Sequence, residues 1–154
     1  ETLALQEIFP PQVWVLKREL LWIPFFGWAL GLTSPIAIKR SDGKGAMRQL
    51  LKQGKERLGQ GFCVVIFPEG TRIPYGKRGK YKIGGALLAA SSGLPVVPVA
   101  HNAGRLWGRA AFSKHPGLIT MSIGKPIPTQ GRKADEINAE VEAWIENEIQ
   151  LLPH

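Results

Sequence analysis

The stretch FCVVIFPEGTR, residues 62–72, determines how the rest of this chain is interpreted. Its first six residues are all apolar and three are β-branched, which is typical of a strand buried on both faces in a parallel sheet. Pro68 cannot donate a ladder hydrogen bond and Gly70 permits a sharp bend, so the strand is expected to end there. Three polar side chains then stand at its carboxyl end: Glu69, Thr71 and Arg72.

The carboxyl edge of an open α/β sheet is where such folds bind ligands. A carboxylate accepts hydrogen bonds from hydroxyls and a guanidinium binds phosphate with two parallel bonds, so this group of side chains suits a polyol phosphate. The residues alone leave a simpler alternative open, a strand followed by a solvated turn.

Composition indicates one globular domain, residues 1–154, with an anionic partner. The chain has 44% hydrophobic and 21% charged residues and a net charge of +8. Residues 39–82 hold 12 Lys and Arg against three acids, and the remainder sums to −1. A basic middle of this kind is typical of proteins that bind phosphate substrates, an anionic membrane surface or nucleic acid.

Two features bear on compartment and membranes. The lone Cys63 excludes a disulfide within the chain, and its place in the apolar run predicts a buried structural thiol. No segment has the roughly 18–20 apolar residues that span a bilayer. The nearest, residues 20–32, is rich in Trp and Phe and is interrupted by Pro and Gly. It is either a buried helix or an interfacial segment with its aromatic rings at headgroup level.

Strand and helix patterns alternate along the chain. Helical patterns cover residues 1–9, 44–60, 83–91 and 133–152, and strand patterns cover residues 13–16, 34–40, 62–67, 94–100 and 117–123. This alternation predicts an α/β fold with a mixed, largely parallel sheet flanked by helices. The basic face of the helix at 44–60 is either a solvated surface or a site for lipid headgroups.

The string FPEGTR, residues 67–72, resembles the signature of the glycerolipid acyltransferases, the 1-acyl-glycerol-3-phosphate (lysophosphatidic acid) acyltransferase family. Other stretches are similar to that family in the same order. KREL and IPFFGW, at 17–20 and 23–28, resemble the segment after its first block. PIAIKR at 35–40 resembles the second block, YKIG at 81–84 an aromatic-Lys-x-Gly element, and residues 94–99 the fourth block.

One departure concerns the family's first block, a His followed five residues later by Asp or Glu. None of His101, His115 and His154 has an acid at that spacing. Glu1 lies where the family's acid would fall, so we expect this chain to start at the acid of the dyad, with the His upstream. On that expectation the chain by itself is inactive. His101 is expected to be structural or to line the substrate site.

The resemblance implies an enzyme that transfers an acyl group from a coenzyme A or acyl carrier protein thioester to the free hydroxyl of 1-acyl-glycerol-3-phosphate, giving phosphatidic acid. The missing His would act as general base and Glu1 would orient it. Arg40 and Arg72, with Lys82, would hold the phosphate, and Glu69 and Thr71 would position the glycerol. Gly70 belongs to the same substrate-binding set.

The resemblance further implies no metal and no other cofactor, association with an anionic membrane surface, and a place at the cytoplasmic face of the inner or plasma membrane. Nucleic acid is not expected as a partner. Two alternatives stay open: an acyltransferase for another lysophospholipid or a lyso-aminolipid, and a non-catalytic basic module that binds membranes or nucleic acid. Both acyl donors, the coenzyme A and the acyl carrier protein thioester, stay open.

Overall fold

The computed structural model describes residues 2–71, 73, 74, 76–106 and 116–153. The chain divides into two compact units, Thr2–Phe67 and Pro68–His154. The expectation of a single domain over residues 1–154 stays a prediction. A parallel three-stranded sheet flanked by helices in one unit and an antiparallel strand pair in the other confirm the mixed α/β class.

The first unit alternates helices and strands, as its sequence pattern predicts. Its elements are α1 Thr2–Ile8, β1 Gln12–Lys17, a 3₁₀ turn Arg18–Trp22, α2 Phe26–Leu32, β2 Ile36–Ile38, a 3₁₀ turn Arg40–Asp42, α3 Gly43–Gly59 and β3 Cys63–Val65. The strands form a parallel sheet in the order β2-β1-β3. Parallel strands need a crossover connection. Helix α2 supplies it between β1 and its neighbour β2, and α3 connects β2 to β3 on the other side of β1.

The core of this unit lies between the sheet and α3. Val13 of β1 and Ile36 of β2 are fully buried, and Leu50 of α3 packs with them. Register places Val15 opposite Ile36 and Val13 opposite Val64. Burial of these aliphatic side chains, each stabilising by roughly 1.5–3 kcal/mol, therefore sets which face of the sheet α3 covers.

The expectation of a strand buried on both faces over residues 62–67 is wrong. Only Cys63–Val65 form β3, which pairs with β1 along one edge, so β1 is the central strand of the described sheet. Phe62, Val64 and Ile66 pack against the core, whereas the side chain of Cys63 is exposed. Alternation along a strand sends neighbouring side chains to opposite faces, and only one face meets the core formed with α3. The predicted buried thiol is therefore also wrong.

The aromatic segment at residues 20–32 is not a buried helix. Trp22, Phe25 and Leu32 are 73%, 79% and 88% exposed. Gly27 is the buried residue of α2, and a Cβ there would clash with the carbonyl oxygen of Leu21. The helix therefore packs closely onto the preceding 3₁₀ turn through a glycine and leaves its large side chains outside. This observation favours the interfacial alternative.

The second unit contains α4 Gly84–Ser92, β4 Val99–His101, α5 Ala103–Leu106, β5 Met121–Ile123 and α6 Ala134–Leu151. Strands β4 and β5 are antiparallel, with Ala100 opposite Ser122. Of the strand predicted over residues 94–100, only the last two residues belong to β4. Before them, Val96 forms an isolated bridge with Ile127. Proline has no N–H to donate, so Pro95 and Pro98 interrupt the ladder.

Helix α6 covers the core of this unit. Ile137 is fully buried, and Ile145 packs with Tyr81, Ala100 and Leu152. The helical periodicity of residues 133–152 predicted this element to within one residue at each end. Throughout the described part of the chain, every helix is too short or too polar to cross a bilayer.

Candidate active site

The turn that follows β3 is anchored to the segment that precedes α4. The backbone N–H of Lys82 donates to the carbonyl oxygen of Pro68 at 2.8 Å. This bond holds the two ends of the basic loop at residues 73–80 together, although the ends are more than ten residues apart in sequence. Pro68 and Gly70 therefore lie beside Lys82, with Glu69 between them in the turn. The assignment of these residues to a substrate-binding set stays a prediction.

Gly70 permits the close approach of Lys82. Its φ is +67°, the left-handed region that favours glycine. A Cβ at this position would lie 2.8 Å from Nζ of Lys82 and 3.0 Å from its Cε. The lysine side chain therefore crosses directly over Gly70, with its ammonium group at the turn. Thr71, next in the turn, is exposed.

Glu69 is half-buried, and Gly79 packs beside it. A Cβ on Gly79 would lie 3.2 Å from Cγ of Glu69. Burial raises the pKa of the Glu69 carboxyl above its usual value, and the negative charge of Glu146 raises it further. Ionising a carboxyl group that is half-buried beside another negative charge costs free energy. Groups whose pKa is shifted in this way are found most often at functional sites.

Helix α6 supplies a second layer of polar groups. The hydroxyl of Tyr81 donates to Oε1 of Glu146 at 3.1 Å. Burial, the charge of Glu146 and this hydrogen bond all raise the pKa of Tyr81, so the phenol stays protonated. Arg78 binds Glu142 with two bonds to one oxygen, 2.6 Å from Nη2 and 3.2 Å from Nε. The basic loop is thereby tied to α6.

The sequence interpretation missed the contribution of Glu142 and Glu146. Residues four apart lie on the same side of a helix. That spacing of the two glutamates, together with a loop rich in Lys and Arg, could have predicted contacts between α6 and the loop. Folding places the charge of Glu146 near Glu69 and pairs Glu142 with Arg78 of the basic loop.

Three predicted site residues cannot be placed against this turn. Glu1 and Arg72 lie outside the described residues. Arg40 begins the 3₁₀ turn after β2, and only its backbone is described. The structure thus places the turn at residues 69–71 next to Lys82, and the substrate-binding and catalytic roles of all seven residues stay predictions.

His101 lies at the end of β4 and is half-buried. Its Nδ1 accepts the backbone N–H of Ala103 at 3.3 Å, a contact that supports the start of α5. The contact agrees with a structural role for this histidine. No three His, Cys, Asp or Glu side chains among the described residues are grouped as a metal site.

A family model described as "Acyltransferase" matches residues 2–102, about two thirds of the chain. The chain belongs to the acyltransferase family. The resemblance seen in residues 67–72 is therefore confirmed, and the turn after β3 is a segment that this family match includes.

Acyltransferases from several organisms are similar to the chain. It is 53% identical over 148 residues to a Pseudomonas aeruginosa protein named 1-acyl-sn-glycerol-3-phosphate acyltransferase, covering 94% of the chain and 58% of that protein. A protein of the same name from Cocos nucifera is 30% identical over 131 residues, covering 84% and 42%. The chain thus spans about half the length of the curated relatives it matches.

A solved acyltransferase has the same fold. The crystal structure of the 1-acyl-sn-glycerophosphate (LPA) acyltransferase from Thermotoga maritima matches with a TM-score of 0.72 at 24% identity, covering 90% of this chain and 56% of that one. At this identity the likeness concerns architecture. It supports the mixed α/β arrangement described above for the acyltransferase chain.

Proposed function

We propose that the natural protein containing this sequence acylates 1-acyl-glycerol-3-phosphate to phosphatidic acid, using an acyl thioester of coenzyme A or acyl carrier protein. The acceptor's hydroxyl oxygen attacks the thioester carbonyl carbon, its proton passes to a general base, and the thiol leaves with a proton. The relatives' names and the family match support this reaction. The reaction itself needs no metal or further cofactor.

The observation that carries the proposal is the environment of Glu69. A half-buried carboxylate with a raised pKa lies in the same turn as Thr71, with the ammonium group of Lys82 over Gly70. A carboxylate accepts hydrogen bonds from glycerol hydroxyls, and an ammonium group binds phosphate. The turn therefore offers complementary contacts to two parts of a glycerol phosphate.

The rest of the proposed machinery comes from the family resemblance. Arg40 and Arg72 bind the acceptor's phosphate, and Glu1 orients the histidine that acts as base. A charge-assisted, two-bond contact between arginine and phosphate contributes roughly 1.5–3 kcal/mol. Loss of either arginine is therefore expected to lower kcat/KM about 10- to 150-fold.

The reaction is tested in the natural protein with lysophosphatidic acid and an acyl thioester. Glu69→Gln keeps the shape of the side chain and removes its charge, so acyl transfer should fall for acceptors with and without a phosphate, since both carry glycerol hydroxyls. Glu136→Gln makes the same change on the exposed face of α6 and should leave the rate unaltered.

The phosphate contacts are tested with Arg40→Ala and Arg72→Ala. Each should lower kcat/KM for lysophosphatidic acid much more than for an acceptor without a phosphate. Equal losses for both acceptors in folded variants would show that the two arginines are structural. Absence of acyl transfer by the natural protein with every donor and acceptor would refute the proposed reaction.

We also assign the protein to an anionic membrane surface, at the cytoplasmic face of the inner or plasma membrane. Support comes from the aromatic segment of the first unit, residues 20–32. The ring centroids of Phe25 and Trp28 lie 5.3 Å apart, and both side chains are exposed. Phe25 has a φ of +61°, an unusual value for a bulky residue. Exposed aromatic side chains of this kind are typical of a surface that inserts into the interfacial region of a bilayer.

Vesicle sedimentation tests this assignment. Phe25→Ser combined with Trp28→Ser should weaken binding to anionic vesicles at least about 150-fold, because each buried ring contributes roughly 1.5 kcal/mol or more and two rings are lost. Leu151→Ser removes a similarly exposed apolar side chain from α6 and serves as the control. Equal binding by all variants, or tighter binding to DNA than to vesicles, would contradict the assignment.

A further inference from the structure

The outer face of α3 carries four cations in a single line. Lys44, Arg48, Lys52 and Lys55 are all exposed. At 100° per residue they fall within an arc of about 80° and extend for about 16 Å along the helix. The arc lies opposite Leu50, which packs into the core. The sheet side and the cationic side of α3 are therefore distinct.

The helix's own acid does not neutralise this line of charge. The helix contains one acidic residue, Glu56, and its carboxylate pairs with Arg57 at 3.5 Å. Arg57 also donates from Nε to the carbonyl oxygen of Ser34 at 3.0 Å, which directs it away from the line of cations. Four like charges at this spacing repel one another when no anion is bound.

Two apolar side chains border the cations. Met47 and Leu51 are half-buried, lie four residues apart, and with the four cations line a shallow groove of about 500 Å³. Apolar anchors four residues apart on one side of a helix, flanked by charges, are typical of helix–helix recognition. Methionine adapts its shape to a partner surface.

We infer that this face of α3 is a docking surface for an acidic helix of a protein acyl donor, namely acyl carrier protein, with its helix lying along the cations and packing on Met47 and Leu51. The inference rests on the proposed function, since it selects between the two thioester donors that the reaction admits. Charge complementarity of this kind raises the rate of encounter and orients the partner.

An acidic protein helix suits the groove better than a bilayer does. The helix α3 has no aromatic residue, whereas interfacial segments carry Trp or Phe on their apolar side. Those aromatic side chains lie on the separate segment around α2. The apolar part of the groove consists of two half-buried side chains, enough for one helix to pack against.

Fluorescence anisotropy tests the surface with this chain and a bacterial acyl carrier protein labelled on the thiol of its phosphopantetheine arm. Lys52→Gln combined with Lys55→Gln should raise Kd about 2- to 30-fold, the range for two exposed ion pairs. Lys125→Gln combined with Lys133→Gln changes the net charge equally at exposed positions of the second unit and should leave Kd within about twofold. Circular dichroism checks that each variant is folded.

Equal effects of the two double variants would overturn the inference, because net charge alone would then explain the binding. Loss of binding to phosphatidylglycerol vesicles by the α3 variant, with carrier binding retained, would assign the face to a bilayer instead. In the natural protein the α3 variant should raise KM for the carrier thioester and leave KM for the coenzyme A thioester unchanged. A rise for both donors would overturn the inference too. If the natural protein transfers no acyl group, the proposed function fails, and anisotropy still decides whether the surface binds the carrier.

Discussion

Replacement of Gly70 by alanine separates the cost of backbone strain from the position of Lys82. The φ of +67° places this residue in the left-handed region, where a residue with a Cβ costs roughly 1–2 kcal/mol. The new methyl group would also lie 2.8 Å from Nζ of Lys82. That atom is the end of a flexible side chain, so the lysine is expected to move and the backbone to stay.

Gly131→Ala is the matched control. Gly131 has a φ of +74°, and a Cβ there would meet no atom within 4 Å. Both variants should therefore lose roughly 1–2 kcal/mol of folding free energy, measured by urea denaturation. Only Gly70→Ala displaces a group of the candidate site.

Acyl transfer in the natural protein provides the second readout. If the ammonium group of Lys82 contacts the acceptor's phosphate, its displacement should lower kcat/KM for lysophosphatidic acid about 10- to 150-fold, the range for a hydrogen bond to a charged group. In a protein that already carries Lys82→Ala, the further change Gly70→Ala should have little effect on kcat/KM. The reasoning is refuted if Gly131→Ala lowers kcat/KM as much as Gly70→Ala, or if Gly70→Ala leaves it unchanged.

Three further outcomes are expected. Burial and the charge of Glu146 raise the pKa of Glu69, so its ionised carboxylate destabilises the fold. Glu69→Gln should therefore raise the melting temperature at pH 7, and this gain should disappear below about pH 4.5, where the carboxyl group is protonated. An equal gain at both pH values would contradict this cause. Asn102→Ala should lower the free energy of unfolding, measured in urea, by about 1–3 kcal/mol. The buried side-chain amide accepts a hydrogen bond from the N–H of Thr120 at 2.8 Å and donates one to the carbonyl oxygen of Pro153 at 3.1 Å. An unchanged unfolding midpoint would show that these bonds do not stabilise the fold. The exposed thiol of Cys63 should react with a thiol reagent in the native chain without denaturant, and a need for unfolding before reaction would contradict its exposure.

The elements that sequence patterns predicted best are those with long apolar periodicity. Helices α3 and α6 begin and end within one residue of the predicted bounds, because each buries a stripe of side chains three or four residues apart. The turn at Glu69 and Gly70 was also predictable, since proline and glycine restrict or permit backbone angles through local sterics. Strand lengths were overestimated where Pro95 and Pro98 withhold N–H groups from the ladder.

The candidate site was predicted only in part. Glu69, Gly70, Thr71 and Lys82 were predicted from a motif whose members are close in sequence or belong to one family pattern, and their role stays a prediction. The acidic partners on α6 were not predicted, because Glu142 and Glu146 are more than 60 residues away from Arg78 and Tyr81 and their charge alone predicts a solvated face. Long-range packing decided that they meet Arg78 and Tyr81.

By itself, the sequence determined the α/β class, the bounds of α3 and α6 and the acyltransferase signature, all of which depend on residue spacing and local backbone preference. Tertiary structure alone decided that β1 is the central strand of the described sheet, that Cys63 is exposed and that the aromatic side chains around α2 face outward. The physical reason is that a run of apolar residues predicts burial, but it does not determine which surface those residues pack against. Strand pairing and the covering helix determine that surface, and both join residues far apart in the chain.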